Sequence, residues 1–120
     1  MNIPFIKLGA LVMFLGVLLG SFGAHYLRSK LSAYHLEVFK TGVLYQMLHG
    51  LGLFVVAWLL TQTGDPKIVY AGIFFLAGIL LFSGSLYILS VTQIKWLGAI
   101  TPLGGLSFLL GWLLILLSKP

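Results

Sequence analysis

Tyr45, Gln46 and His49 are the residues of this chain best placed to do chemistry from inside an apolar segment. At helical spacing Tyr45 and His49 stand at i, i+4, and Gln46 and His49 at i, i+3, so their side chains can meet. With Gly42 they share a helix face about 100° wide. Histidine changes charge near neutral pH, so His49 is the one deep group that could carry a proton. The cluster could serve as a proton relay, or as a polar pocket for a lipid-like or quinone-like ligand. The plainer expectation is an interhelical hydrogen-bond cluster, because polar groups in lipid need internal partners whatever their role.

Other candidates are weaker. Ser83 and Tyr87 also lie at i, i+4 within Phe-Ser-Gly-Ser-Leu-Tyr (82–87), but no acid is placed to orient a base for a serine nucleophile. Hydrolysis is not expected, and the chain is read as a non-enzyme. In Thr-Pro-Leu-Gly-Gly (101–105), Pro102 removes an N–H and its ring is expected to clash with the Gly98 carbonyl. A kink or short break beside Thr101 follows, of a kind that lines substrate sites in some transporters and elsewhere serves packing. His25, beside Arg28, ends the first apolar run at headgroup level. Its depth differs from that of His49 by roughly 9 Å, which argues against a shared haem. No cofactor and no metal site are expected.

These residues must be held by elements that live in lipid. The chain has 120 residues, 60% hydrophobic and 8% charged, with a mean hydropathy of +1.12. Soluble domains carry about 25% charged residues. Four apolar stretches, 8–27, 41–60, 68–91 and 96–117, each approach the ~20 residues that cross a bilayer. They use most of the sequence, so one domain is expected: an all-α membrane protein, an antiparallel bundle of four transmembrane helices. The first stretch exceeds the 7–15 residues of a signal-peptide core and is read as a retained helix.

The net charge of +5 comes from cations scattered at span ends. They suit anionic lipid rather than nucleic acid. Lys7, Lys67 and Lys119 fall on the side of the termini, with Arg28, Lys30, Lys40 and Lys95 opposite, so the positive-inside rule is nearly balanced. There is no cysteine, which excludes disulfides, thiolate metal sites and S-acylation. The spans carry no Asp, Glu, Lys or Arg in their interiors, where proton-coupled pumps generally need one.

Two connections are short: Thr-Gly-Asp-Pro-Lys, where Asp65-Pro66 and Gly64 favour a turn, and Thr92–Lys95. Residues 28–40 form a longer link that either lies along the interface or extends the second helix. Glycine supplies 15 positions. Gly9, Gly16, Gly20 and Gly23 fall on one arc of the first helix. Ala71, Gly78 and Ser85 recur on the third, and Gly104, Ser107 and Gly111 on the fourth. Such stripes let helix backbones approach closely.

Four ordered motifs carry a resemblance: Gly-Ser-Phe-Gly-Ala-His (20–25), Tyr-Gln-Met-Leu-His (45–49), Phe-Ser-Gly-Ser-Leu-Tyr (82–87) and Gly-Ala-Ile-Thr-Pro-Leu-Gly-Gly (98–105). The chain resembles the bacterial family called domain of unknown function 423, or uncharacterised protein family 0382, whose eukaryotic relatives are known as transmembrane protein 256. It departs mildly where relatives often carry a tryptophan, having Phe39 before Thr41-Gly42-Val43. The resemblance implies a multi-pass protein of the bacterial plasma membrane and no established activity. The positions matching its motifs include His25, Tyr45, Gln46, His49, Ser83, Tyr87, Thr101 and Pro102. The expected role is a non-enzymatic structural or interaction protein, with lipid, further copies of itself or other membrane proteins as partners. The alternatives are a small oligomeric channel or transporter, or a lipid- or quinone-binding protein, using the Tyr45–Gln46–His49 face and the Pro102 break.

Overall fold

The computed structural model describes residues 2–120. Four helices are long and apolar enough to cross a membrane: α1, Phe5–Leu27; α2, Ala33–Gln62; α3, Pro66–Thr92; and α4, Lys95–Leu116. None of the described residues lies in a strand. The chain is an all-α membrane protein. α1 packs along α2, α2 along α3 and α3 along α4. The bundle is flat, 48 × 26 × 19 Å, with its thin dimension close to two helix diameters.

Local chemistry sets the helix ends. Ser32 caps α2, its Oγ accepting from the His35 N–H. The helix therefore starts at Ala33, and residues 33–40 extend the second apolar stretch by two helical turns. No Gly or Pro interrupts them, and Glu37 pairs with Lys40 at 3.7 Å. Asp65 caps α3 through the Lys67 N–H, and Pro66 occupies the first turn, where its missing N–H has no helical partner. With that cap the turn needs no left-handed glycine, and Gly64 does not adopt one. The α3–α4 turn instead places Gln93 in the left-handed region, φ 61°, as a helix C-cap.

Two features depart from regular winding. Leu18–Gly23 in α1 and Ile79–Ser83 in α3 are π-helical. α4 opens with a 3₁₀ turn, Lys95–Ala99, and becomes regular at Thr101. Pro102 thus stands in the first turn of the regular helix, where no interior hydrogen bond is lost. The break expected at Pro102 is a change of winding before it.

Small residues set the helix spacing. Along α1, Gly9 lies against Leu53 and the Gly50 carbonyl, Gly16 against Met47, Gly20 against Val43 and Gly23 against Phe39, all on α2. Between α3 and α4, glycine and phenylalanine interlock. Gly78 receives Phe108, Gly111 receives Phe75, and Gly104 lies on the backbone of Phe82. The buried core joins Phe5, Leu53, Val56, Ile68, Ala71, Phe75, Ile79 and Phe108. Exposed Trp58 and Tyr70 lie towards one end of the bundle, and exposed Tyr26, Tyr34 and Trp96 towards the other. Paired aromatic levels of this kind mark the two membrane–water interfaces.

Candidate functional site

α2 carries the expected cluster, but the structure divides it. Gln46 turns towards α1 and α3. Its Nε2 donates to the Val12 carbonyl at 2.8 Å, and its Oε1 accepts from the Tyr87 hydroxyl at 2.5 Å. One side chain thereby links three helices. His49 turns towards α4. The Trp112 indole N–H donates to His49 Nε2 at 2.9 Å, and His49 Nδ1 lies 2.9 Å from the Tyr45 carbonyl. An indole N–H can only donate and a carbonyl can only accept. The partners therefore fix a neutral imidazole with its proton on Nδ1. The ring stacks on Phe108 with centroids 3.6 Å apart, and Phe75 meets it edge-on.

Tyr45 and His49 do stack, at 6.3 Å and 11°, but the bond between these residues runs from the imidazole to the tyrosine backbone. The Tyr45 phenol leans on Phe82 at 4.5 Å, and the residue is 37% exposed. Its hydroxyl has no hydrogen-bond partner among the described residues. No buried polar side-chain atom among those residues lacks a partner, so this half-exposed hydroxyl stands apart from the buried network.

The remaining polar positions tie helix to helix. Ser83 Oγ donates to the Gly42 carbonyl at 2.6 Å, joining α3 to α2. Ser85 and Thr101 share a 2.6 Å bond between α3 and α4, and Ser107 Oγ donates to the Phe74 carbonyl at 2.7 Å. His25 and Arg28 are exposed at the far end of α1, away from this network.

Trp112 escaped the sequence reading, and Asp65 was read only as a turn residue. Trp112 completes the His49 environment, yet its position near the end of α4 reads as an interfacial tryptophan. Asp65 caps α3 with Oδ1 and accepts from the Lys119 backbone N–H with Oδ2 at 2.8 Å, pinning the chain end to the α2–α3 turn. The Lys67 and Lys119 backbone N–H groups hold its carboxyl below the usual carboxylate range. The Lys67 ammonium, 3.7 Å away, adds to this.

Two grooves flank the network. One, of about 430 Å³, lies between α1 and α3. Leucines including Leu11, Leu15 and Leu80 form its walls, and Gln46 and Tyr87 lie among its lining residues. The other, of about 580 Å³, lies between α2 and α4 and is lined by Tyr45, His49, Phe82, Pro102, Gly105, Phe108 and Trp112, among others.

Residues 19–105 match the family described as "Protein of unknown function (DUF423)". The chain belongs to the DUF423 family. It is 55% identical over 115 residues to the UPF0382 membrane protein YwdK of Bacillus subtilis (strain 168), covering 95% of this chain and 94% of that one. It is 48% identical to a UPF0382 membrane protein of Staphylococcus haemolyticus (strain JCSC1435), over 95% of this chain and 93% of the relative. No solved structure matches it. The four motifs on which the resemblance rested supply Tyr45, Gln46, His49, Ser83, Ser85, Tyr87 and Thr101 of this chain's network, and Trp112 lies beyond the matched span.

Proposed function

We propose that the protein is a non-enzymatic, multi-pass component of the bacterial plasma membrane that acts by packing against lipid and other membrane helices, including further copies of itself. The observation that carries this reading is the saturation of His49. Trp112 occupies its one free lone pair, and its N–H is committed to the Tyr45 carbonyl. A relay needs a group free to take up and hand on a proton. The only acids, Glu37 and Asp65, lie in the first turns of α2 and in the α2–α3 turn. A channel or transporter needs a path past His49, where Phe108 lies stacked on the ring.

Reconstitution into liposomes with a pH-sensitive dye inside tests this. Proton and potassium fluxes equal to those of protein-free liposomes are expected. A flux that His49→Gln removes, with thermal stability unchanged, would overturn the reading.

A further inference from the structure

The α2–α4 groove combines three features that the packing role does not use. Its wall is aromatic: Tyr45 lies on Phe82 at 4.5 Å, and Phe108 stacks on His49. Its floor is open at Gly105, where an added Cβ would meet only the Phe82 ring, at 3.9 Å or beyond. And it holds the unpartnered Tyr45 hydroxyl. The groove's other deep polar groups, on His49 and Trp112, are bound to each other.

Depth restricts what can satisfy that hydroxyl. Tyr45 is eleven residues from exposed Tyr34 and thirteen from exposed Trp58 on the same helix. At 1.5 Å per residue those are about 16 and 20 Å, which puts Tyr45 near the bilayer midplane. Phosphate and ester oxygens of ordinary lipids stay at headgroup level and do not reach it. An unsatisfied hydroxyl in hydrocarbon is costly, so its fitting partner is an acceptor that itself resides in the membrane interior.

We infer that the α2–α4 groove is a binding site for a planar, carbonyl-bearing apolar ring of the quinone type, with the Tyr45 hydroxyl donating to a ring carbonyl. The ring lies against Phe82 and Trp112, the more exposed aromatic walls, since flat π-systems favour offset stacking on aromatic faces. A volume of about 580 Å³ suits a single such ring with the first part of a tail. The tail leaves past Leu106 and Leu109 into lipid. This goes beyond the packing role and does not depend on it.

The test uses the full chain in nanodiscs with Trp58→Phe and Trp96→Phe, leaving Trp112 as the only indole. Menadione is titrated while Trp112 fluorescence is followed. Saturable quenching is expected. Tyr45→Phe should raise the apparent Kd about fivefold, the size expected of one lost hydrogen bond. Gly105→Leu should abolish the saturable component while the thermal unfolding midpoint holds, because its side chain enters the groove without displacing a helix. Methylnaphthalene, which lacks the carbonyls, should bind no better to the parent than to Tyr45→Phe. Quenching that is linear and equal in all three proteins, reflecting partition into lipid alone, would overturn the inference. So would saturation indifferent to both substitutions. A photo-crosslinker at Leu106 that captures a second copy in place of the ring would overturn it too.

Discussion

Between α1 and α3 the polar floor is closed: Tyr87 donates to Gln46, and Gln46 to the Val12 carbonyl. Between α2 and α4 the closure is partial, because Trp112 and His49 satisfy each other while the Tyr45 hydroxyl beside them stays free. The walls differ in the same sense. The first groove is lined by leucines and bordered by both π-helical stretches through Leu18, Leu19, Ile79 and Leu80. The second is mostly aromatic, takes only Phe82 from a π-helical stretch, and runs along α4 beyond Pro102. In hydrocarbon a paired polar group acts as a rivet, and an unpaired one is a place where a ligand gains affinity. The two grooves therefore divide stability from recognition, and substitutions can break or sharpen that division.

The largest effect should come from the seam that both grooves share. Gly104→Leu would drive a side chain into the Phe82 backbone and part α3 from α4. A loss of about 3 kcal/mol is expected, seen as a collapse of the unfolding midpoint in detergent, whereas neighbouring Gly105→Leu leaves it in place. Next, Gln46→Leu strands the Tyr87 hydroxyl and removes the side-chain bond to the Val12 carbonyl, which keeps its helical partner. It should cost about 2 kcal/mol, with no change in menadione quenching. His49→Phe keeps the stack on Phe108 but leaves the Trp112 N–H unpaired, an expected loss of about 1 kcal/mol accompanied by a shift in Trp112 emission. Tyr45→Phe should alter stability by less than about 0.5 kcal/mol. If Tyr45→Phe destabilised as much as Gln46→Leu, the contrast between the grooves would vanish.

The smallest effect lies outside both grooves. Asp65 titrates below its ordinary value when folded, so its contribution is complete above the unfolded pKa of about 3.9 and disappears as pH falls through the lower folded value. The Lys119 amide should remain protected from hydrogen exchange at pH 5 and lose protection only in stronger acid. Asp65→Asn should expose it at all pH values, with the spans unaffected.

Much of the architecture was legible. Apolar length and flanking charge locate four spans, because hydrocarbon thickness is a fixed ruler. The polar positions were legible as types but not as partners. Tyr45, Gln46 and His49 share a face at 100° per residue, yet Gln46 reaches α1 and α3 while His49 reaches α4, since the facing helices decide where each side chain finds a donor. Trp112 lay hidden because a tryptophan near a span end has a sufficient reason to be there. The first turns of α2 rested on one capping serine, Ser32, inside a mixed segment. The two π-helical stretches left no trace in composition, as one extra residue per turn changes neither hydropathy nor length.

Those stretches make the chain tolerant of an indel at one place and intolerant of it elsewhere. Removing a single residue within Ile79–Ser83 would restore ordinary winding with little strain. Removing Gly84 from the regular winding that follows would instead swing everything beyond it by about 100°. Ser85 and Tyr87 would then face lipid, and the seals they form on α4 and α2 would open together. The wide turn in α3 thus works as a phase setter: it decides which side of the last three turns looks inward.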